Sequence, residues 1–291
     1  MMAAPGAPRR SGNPSLLFVV GHPVSHSLSP AMHNAIIARL GLPLYYVPVD
    51  LPPGRLGVFL QVVREANFLG GNVTIPHKEE AAAMADTRSE TVDACGAANT
   101  LVVRDGRVHA ENTDGAGFLD ALEARGWGRR FPRAVLLGAG GAARGIAWAL
   151  GKAGSRRIDV LNRDPRRASE LARALSPRLP NVSFSPGDLR PGTMRESFRD
   201  ADLIVQCTSL GLRGEWDDFP VKDVQKSAFF ADIVYRAGGT ALVRRLRVRG
   251  VPAVDGLPML AHQAARSFAL WTGRKIPGGS FLAVAKKALN I

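Results

Sequence analysis

Val135-Leu136-Leu137-Gly138-Ala139-Gly140-Gly141-Ala142-Ala143-Arg144 is an apolar run that stops at a glycine cluster and resumes as an alanine-rich stretch. The pattern predicts a strand, a tight turn and a helix. A buried parallel strand ends at Leu137, Gly138 and Gly140 let the backbone turn and approach a ligand without a Cβ, and Ala143 lets the helix pack close to the sheet. This is the G-x-G-x-x-A form of the dinucleotide fingerprint, in which N–H groups at a helix N-terminus hold a pyrophosphate. Gly138, Ala139, Gly140, Gly141 and Ala142 are therefore candidate cofactor-binding residues. An ordinary strand-to-helix turn would also explain a bare glycine triplet. Here, however, the helix over 142–153 is followed by Gly154 and an apolar strand over 158–161, which completes a βαβ unit of roughly 30 residues.

Working outward, 291 residues with 46% hydrophobic and 22% charged side chains describe a globular chain with core enough for two domains. The first 13 residues, rich in Ala, Pro, Gly and Arg, read as disordered, and the apolar run after them, 16–20, is too short for a secretory h-region. No stretch is long enough to span a bilayer, so no membrane role is expected. Cys95 and Cys207 are far apart and in no ligand spacing, which leaves a disulfide framework and a metal site unsupported and fits a reducing cytoplasm.

The formal net charge of +13 raises nucleic acid as a partner. Arginines cluster over 125–133, 156–173 and 244–249, but in separate segments that read as loops or outer helix faces. Within 240–249, Leu242, Val243 and Leu246 form an apolar stripe while Arg244, Arg245 and Arg249 can point outward. With no aromatic-interleaved basic motif, a solvated basic surface is the better reading.

Before the glycine loop, the chain alternates short strands (16–20, 45–49, 68–74) with helices (29–40, 56–65, 78–85). Ser29-Pro30 reads as an N-cap and first-turn pair, and Gly41 closes that helix. Such alternation predicts a mostly parallel sheet covered by helices. Asp105-Gly106, between alternating apolar residues, predicts a hairpin. After the loop, strands over 182–184, 203–205 and 229–233 continue a doubly wound, Rossmann-type domain, followed by an amphipathic helix over 258–272 and a short helical tail. The fold class is α/β with two α/β domains.

Four polar clusters fall where strands end, which is where open α/β sheets place ligands. They are Gly21-His22-Pro23-Val24-Ser25-His26-Ser27-Leu28-Ser29-Pro30, Asn72-Val73-Thr74-Ile75-Pro76-His77-Lys78-Glu79, Ala98-Asn99-Thr100 and Asn112-Thr113-Asp114-Gly115. Each alone reads as a capped loop; four together beside a dinucleotide domain read as a site. With Asp255-Gly256-Leu257-Pro258-Met259-Leu260-Ala261-His262-Gln263-Ala264, these clusters and the glycine loop give the chain a pattern, from Gly21 to about Gly273, that resembles the shikimate dehydrogenase family.

The resemblance implies reversible NADPH-dependent reduction of 3-dehydroshikimate to shikimate, a step towards aromatic amino acids. It implies Lys78 and Asp114 as the catalytic pair. Hydride delivery to a ketone makes an alkoxide that must gain a proton, and a Lys–Asp pair can supply it. By the same motif matches, Ser27, Ser29 and Tyr235 would face the substrate carboxylate, while Thr74, Asn99, Asp114 and Gln263 would face its hydroxyls. Asn162, Arg163 and Arg167 follow the 158–161 strand; Arg163 and Arg167 match the family's clamp on the NADP 2′-phosphate. Asp164 departs from the threonine that many members carry. The domains implied are 1–113 with 257–291 for substrate and 114–256 for NADP, with a cleft between them and a small molecule, not nucleic acid, as partner. An NAD-preferring quinate/shikimate dehydrogenase is the alternative within the fold, and a basic nucleic-acid-binding protein is the alternative outside it. The expected state is a cytoplasmic monomer or homodimer.

Overall fold

Alternating apolar runs and helix-forming stretches build two sheets, each in its own unit. The computed structural model describes residues 14–210, 216 and 218–291, and the arginine- and proline-containing opening segment lies outside them. By contact, residues 14–117 with Leu260–Asn290 form one unit and Phe118–Met259 the other. The domain boundaries expected from sequence fall at helix starts, and the contact boundaries lie about one turn further along in each case.

The first unit contains β1 (Ser15–Gly21), α1 (Ser29–Arg39), β2 (Leu44–Asp50), α2 (Leu56–Glu65), β3 (Phe68–Val73), α3 (Lys78–Met84), β4 (Thr87–Arg88), α4 (Glu90–Cys95), β5 (Thr100–Arg104) and β6 (Arg107–Glu111). α5 (Asp114–Glu123) starts in it. Its six strands lie in the order β2-β1-β3-β5-β6-β4. β1 runs parallel to β2 and β3, and β4 parallel to β6, whereas β5 is antiparallel to both neighbours. The reversal at β5 follows from the Asp105-Gly106 turn. Its residues have φ of 50° and 71°, the paired positive values that a two-residue hairpin loop of matching twist requires.

β1 is buried along nearly its whole length, as a strand covered on both faces should be. Phe18 meets Phe59 and Phe68 edge-on, at centroid separations of 5.0 and 5.7 Å. Its ring also lies against the backbone of β3, where a Cβ on Gly71 would come within 2.4 Å of it. That position excludes any side chain.

The second unit contains β7 (Arg133–Leu137), α6 (Gly141–Lys152), β8 (Arg157–Leu161), α7 (Pro165–Leu175), β9 (Ser183–Gly187), α8 (Pro191–Phe198), β10 (Leu203–Gln206), β11 (Phe229–Asp232), α9 (Ala241–Val248) and β12 (Ala253–Val254). These six strands are all parallel, in the order β12-β11-β10-β7-β8-β9. The chain therefore starts at the centre, winds one way through β8 and β9, and returns to wind the other way from β10. That is the doubly wound order, with its switch point between β7 and β10. α10 (Leu257–Thr272) then leads back to the first unit, where α11 (Gly278–Ala288) completes the fold.

The start of α1 differs from expectation. Ser29 is the first helical residue and not the N-cap; the cap position is Leu28, which offers no side-chain bond. The capping chemistry comes from Ser27, whose Oγ accepts the Ser29 N–H at 3.3 Å. Pro30 has no N–H to be capped and fits the first turn, and Ser27 serves the N–H just before it.

Candidate active site

Lys78 opens α3 and Asp114 opens α5, so both side chains stand at the beginnings of helices that follow loops from the sheet. Lys78 Nζ donates to Asp114 Oδ2 at 2.6 Å, with side chains only 14% and 5% exposed. At this burial an ion pair is sustained by further hydrogen bonds to its polar atoms. Asp114 has them. Asn99 Nδ2 donates to Asp114 Oδ1 at 2.9 Å, and Asp114 N–H donates to Asn112 Oδ1 at 3.0 Å.

Asn99 is the centre of a larger buried cluster. Its Nδ2 also lies 2.9 Å from Thr113 Oγ1 and 3.1 Å from Gln263 Oε1, and its Oδ1 accepts the Thr113 N–H at 2.7 Å. Gln263 Nε2 donates in turn to the Leu260 carbonyl. α5 comes close to α10 at Gly117, where a Cβ would fall 2.5 Å from Gln263 N. One turn beyond Gln263, Ser267 Oγ stands 2.8 Å from Thr100 Oγ1 and 3.1 Å from Thr113 Oγ1, and accepts from Asn72 Nδ2 at 3.0 Å. Asn72 Oδ1 accepts the Tyr46 hydroxyl at 2.7 Å. An unbroken chain of polar contacts therefore runs from Tyr46 to Asp114. Burial holds the Tyr46 phenol well above its ordinary range, against the pull of Ser29 and Asn72.

Thr74 lies in the turn before α3, its N–H bonded to the Val20 carbonyl and its own carbonyl accepting from His77 N. The His77 ring is buried, with Nε2 2.7 Å from the Leu51 carbonyl. A carbonyl only accepts, so Nε2 carries the proton in that contact. The imidazole thereby ties the turn that carries Thr74 and Lys78 to the end of β2.

Sequence reading put Lys78, Asp114, Asn99, Gln263, Ser29, Ser27 and Thr74 in one site; all belong to the first unit, the first four are linked by the contacts above, and Ser29 is bonded to Ser27. Tyr46, Asn72, Thr100, Thr113 and Ser267 were not assigned roles. Asn72, Thr100 and Thr113 lay inside the quoted motifs, and their buried hydroxyls and amide needed partners. Tyr46 and Ser267 carried no such signal, being a strand aromatic and a serine inside a helix.

His33, also in the first unit, carried no signal in the sequence either. The ring is fully buried, stacked on Tyr46 at 4.4 Å and flanked by Trp271 and Phe281, each at 5.3 Å. Neither ring nitrogen has a hydrogen-bond partner among the described residues, and burial pulls its pKa down to about 3. It is a neutral member of an aromatic box.

The second unit holds the other predicted residues. Gly138 has φ of 117°, and a Cβ there would lie 3.0 Å from the Cys207 carbonyl carbon, so the turn demands glycine. Gly140 caps α6 in an extended conformation and has open space where a Cβ would be. α6 offers its first N–H groups, which have no partner within a helix, beside the switch point of the sheet. These features fit a pyrophosphate. Asn162 Nδ2 donates to the Asp164 carbonyl at 2.9 Å. Arg163 and Arg167 are exposed around the start of α7. Asp164 caps α7. Its Oδ1 accepts the Arg166 N–H at 3.1 Å and its two oxygens grip the Arg166 guanidinium at 3.0 and 2.9 Å. The guanidinium and the backbone N–H hold the carboxyl below its usual range. Tyr235 lies half-buried in the segment after β11. Among the described residues, no group of His, Cys, Asp and Glu could hold a metal ion, and no helix is long and apolar enough to cross a membrane.

A doubly wound sheet with a glycine-rich switch-point loop, joined in one chain to a unit that buries a Lys–Asp pair among hydroxyls and amides, defines a dinucleotide-dependent oxidoreductase. Known proteins narrow this class. Residues 19–101 match the shikimate dehydrogenase substrate binding domain and residues 256–289 the shikimate 5'-dehydrogenase C-terminal domain. Shikimate dehydrogenase (NADP(+)) of Symbiobacterium thermophilum is 41% identical over 278 residues, 94% of this chain and 95% of the relative. Shikimate 5-dehydrogenase of Thermus thermophilus, solved with NADP(H) and shikimate, superposes with a TM-score of 0.82 at 38% identity, over 94% of this chain and all of that one. A quinate dehydrogenase of Corynebacterium glutamicum, solved with NAD, is similar at a TM-score of 0.83 and 28% identity, over 94% of this chain and 98% of the other. The chain belongs to the shikimate dehydrogenase family.

Proposed function

We propose that this chain is an NADP-dependent shikimate dehydrogenase, which reduces 3-dehydroshikimate reversibly to shikimate in aromatic amino acid biosynthesis. The observation that carries the reading is the buried Lys78–Asp114 pair at 2.6 Å, with Asn99 holding the second carboxylate oxygen. Such a pair has a proton to give to an oxygen that becomes an alcohol and a counter-charge to hold the ammonium in place. When bound, the nicotinamide supplies and recovers a hydride. Lys78 delivers the proton to the same carbonyl, Asp114 orients the ammonium and accepts from the substrate hydroxyl, and Asn99, Thr74 and Gln263 accept and donate to the remaining hydroxyls.

Ser27 and Ser29 bind the carboxylate, with Tyr235 as a further ligand. Gly138, Ala139, Gly140, Gly141 and Ala142 hold the pyrophosphate, with Asn162, Arg163 and Arg167 around the adenosine 2′-phosphate. Arg166 occupies both oxygens of Asp164, which lessens the repulsion that a carboxylate would exert on that phosphate. The substrate domain comprises residues 1–113 with 257–291 and the NADP domain residues 114–256.

The partner is a small molecule and not nucleic acid. Many arginines are paired with nearby acids, among them Arg64, Arg88, Arg129, Arg157, Arg190 and Arg195, which supports a solvated basic surface. A chain with only two cysteines in 291 residues accords with the cytoplasm, and the state is a monomer or homodimer. A second reading, an NAD-preferring quinate/shikimate dehydrogenase, draws on Asp164 itself. Steady-state kinetics with shikimate and quinate against NADP and NAD separate the two. Higher kcat/KM for shikimate with NADP is expected; a preference for quinate with NAD overturns the first reading in favour of the second.

A further inference from the structure

Asp232, the last residue of β11, is a buried carboxylate that the chemistry above does not use. Its Oδ1 accepts the Val234 N–H at 2.9 Å and its Oδ2 accepts the Thr240 hydroxyl at 2.8 Å. Thr240 in turn is the N-cap of α9, accepting the Val243 N–H at 3.3 Å. One carboxylate thus holds both ends of the segment 233–240, and Tyr235 lies inside it.

The start of the segment is also held from β12's side. Gly256 N–H donates to the Val234 carbonyl at 2.9 Å, and the Ile233 carbonyl rests where a Cβ on Gly256 would be, 2.0 Å away. Its tip, 236–238, is exposed and turns through Gly238 and Gly239 at φ of 77° and 83°. A tyrosine on such a segment depends for its position on what fixes the two ends.

The surroundings of Asp232 disfavour its charge. It faces a cavity of about 10 Å³, the lower limit for a single water, lined by Phe118, Ala121 and Leu122 of α5, Val254 and Asp255 at the end of β12, and Met259 of α10. Asp255 is the other titratable group in that lining. From α9, the Arg244 guanidinium donates to the Gly239 carbonyl at 2.5 Å, and the segment itself brings Tyr235 and Arg236. Burial, with a smaller push from Asp255, raises the carboxyl to about 6 despite the bonds from Val234 and Thr240. A carboxyl raised above its unfolded value of 3.8 contributes most to stability below that value, and the contribution is lost as pH rises through about 6. Stability alone therefore opposes the ionised form at neutral pH. An amide in its place could accept from Val234 and donate to Thr240 with no charge to bury. The neutral carboxyl can likewise accept from the Val234 N–H and bond the Thr240 hydroxyl, so the clasp on the two ends of the segment is tightest when it is uncharged.

We propose that Asp232 is a positioning residue, a buried carboxylate clasp that fixes the segment 233–240 and with it Tyr235, so that substrate affinity depends on its ionisation. This rests on Tyr235 being a substrate ligand, as proposed above.

The test compares the parent with Asp232→Asn from pH 5 to 8 by two readouts. Hydrogen exchange of peptides spanning 230–241, corrected for intrinsic rates, reports the clasp without any assay. The KM for 3-dehydroshikimate reports its consequence. In the parent, protection of this segment is greatest with the carboxyl neutral, so exchange rises several-fold as pH rises through about 6, and KM rises several-fold over the same range. In Asp232→Asn, whose amide keeps both bonds without a charge to bury, both stay flat near the parent's low-pH values, while kcat and the KM for NADPH change less than twofold and Tm at pH 8 is unchanged or higher.

A parent segment whose protection ignores pH overturns the proposal, and needs no variant to be seen. So does an Asp232→Asn protein with the parent's KM and pH profile. If the clasp responds in exchange but the parent does not turn over 3-dehydroshikimate, it is the functional reading that fails.

Discussion

Removing the Lys78 amine should have two separable effects, one on the reaction and one on the fold. Without a proton donor at the carbonyl oxygen, Lys78→Ala should lower kcat by about 10² to 10⁴, with shikimate affinity changed much less. It also leaves the Asp114 carboxylate, 5% exposed, with only Asn99 Nδ2 on its Oδ1 and nothing charged opposite Oδ2. Stripping one partner from a buried pair typically costs about 3 to 5 kcal/mol. At roughly 2 to 4 °C per kcal/mol for a body of this size, Tm should fall by about 10 °C. Adding Asp114→Asn to Lys78→Ala removes the stranded charge, so most of that loss should return while kcat stays low. Calorimetry on the two variants alongside stopped-time assays of NADPH production settles both. A Lys78→Ala protein with parental kcat removes the residue from the mechanism, and one that loses turnover but melts like the parent refutes the claim that Asp114 is ionised and dependent on it.

His33 should make the first unit acid-labile. Its pKa of about 3 in the fold lies below the free value of 6.5, so its contribution is complete above pH 6.5 and is lost as pH falls from there towards 3. At pH 5 the loss is about 2 kcal/mol, and urea titrations at pH 7.5 and 5 should show it in the parent but not in His33→Phe; equal losses in both contradict the assignment. Ser27→Ala should both lower Tm, by removing the acceptor for the Ser29 N–H, and raise the KM for shikimate, and calorimetry with kinetics checks the pairing. Arg163→Ala should raise the KM for NADP far more than that for NAD, because a guanidinium grips the 2′-phosphate that only NADP presents; equal losses in initial-rate assays point to a fold defect instead.

The parts of this chain that could be read without coordinates are those in which local chemistry dictates the outcome. The strand, turn and helix from β7 into α6 follow from apolar residues, obligatory glycine at Gly138 and alanines. The β5–β6 hairpin follows from Asp105-Gly106. Each of Lys78 and Asp114 is legible as a residue of a polar loop at a strand end, but their pairing came from the resemblance to the shikimate dehydrogenase family. Where tertiary packing decides, the sequence was less informative. β4 and α4 are too short to show a period, and α7 was missed although Asp164-Pro165 is a good cap and first-turn pair. At the start of α1 the side-chain acceptor is Ser27 and not the expected Ser29. Ser267 and Tyr46 are legible only once α10 and β2 are placed beside Asn72, since nothing local distinguishes a helical serine that bonds polar groups of β3, β5 and the loop before α5 from one that faces water.

The discontinuity of the first unit bears on how the chain assembles during synthesis. Residues 118–259 are contiguous, so the nucleotide-type sheet has all its strands before α10 is made, and units of this kind fold as they emerge. The first sheet emerges earlier still, but it must wait. Gln263 and Ser267 arrive with α10, and Phe281, which closes the aromatic box on His33, arrives with α11. Until then the amides and hydroxyls of Asn72, Asn99, Thr100 and Thr113 lack partners from α10, and the faces of α1 and β2 that carry His33 and Tyr46 are uncovered. The earliest-made half of the protein is thus the last to be finished. The interval in which it is vulnerable to chaperone capture or proteolysis lasts for the translation of the whole second unit.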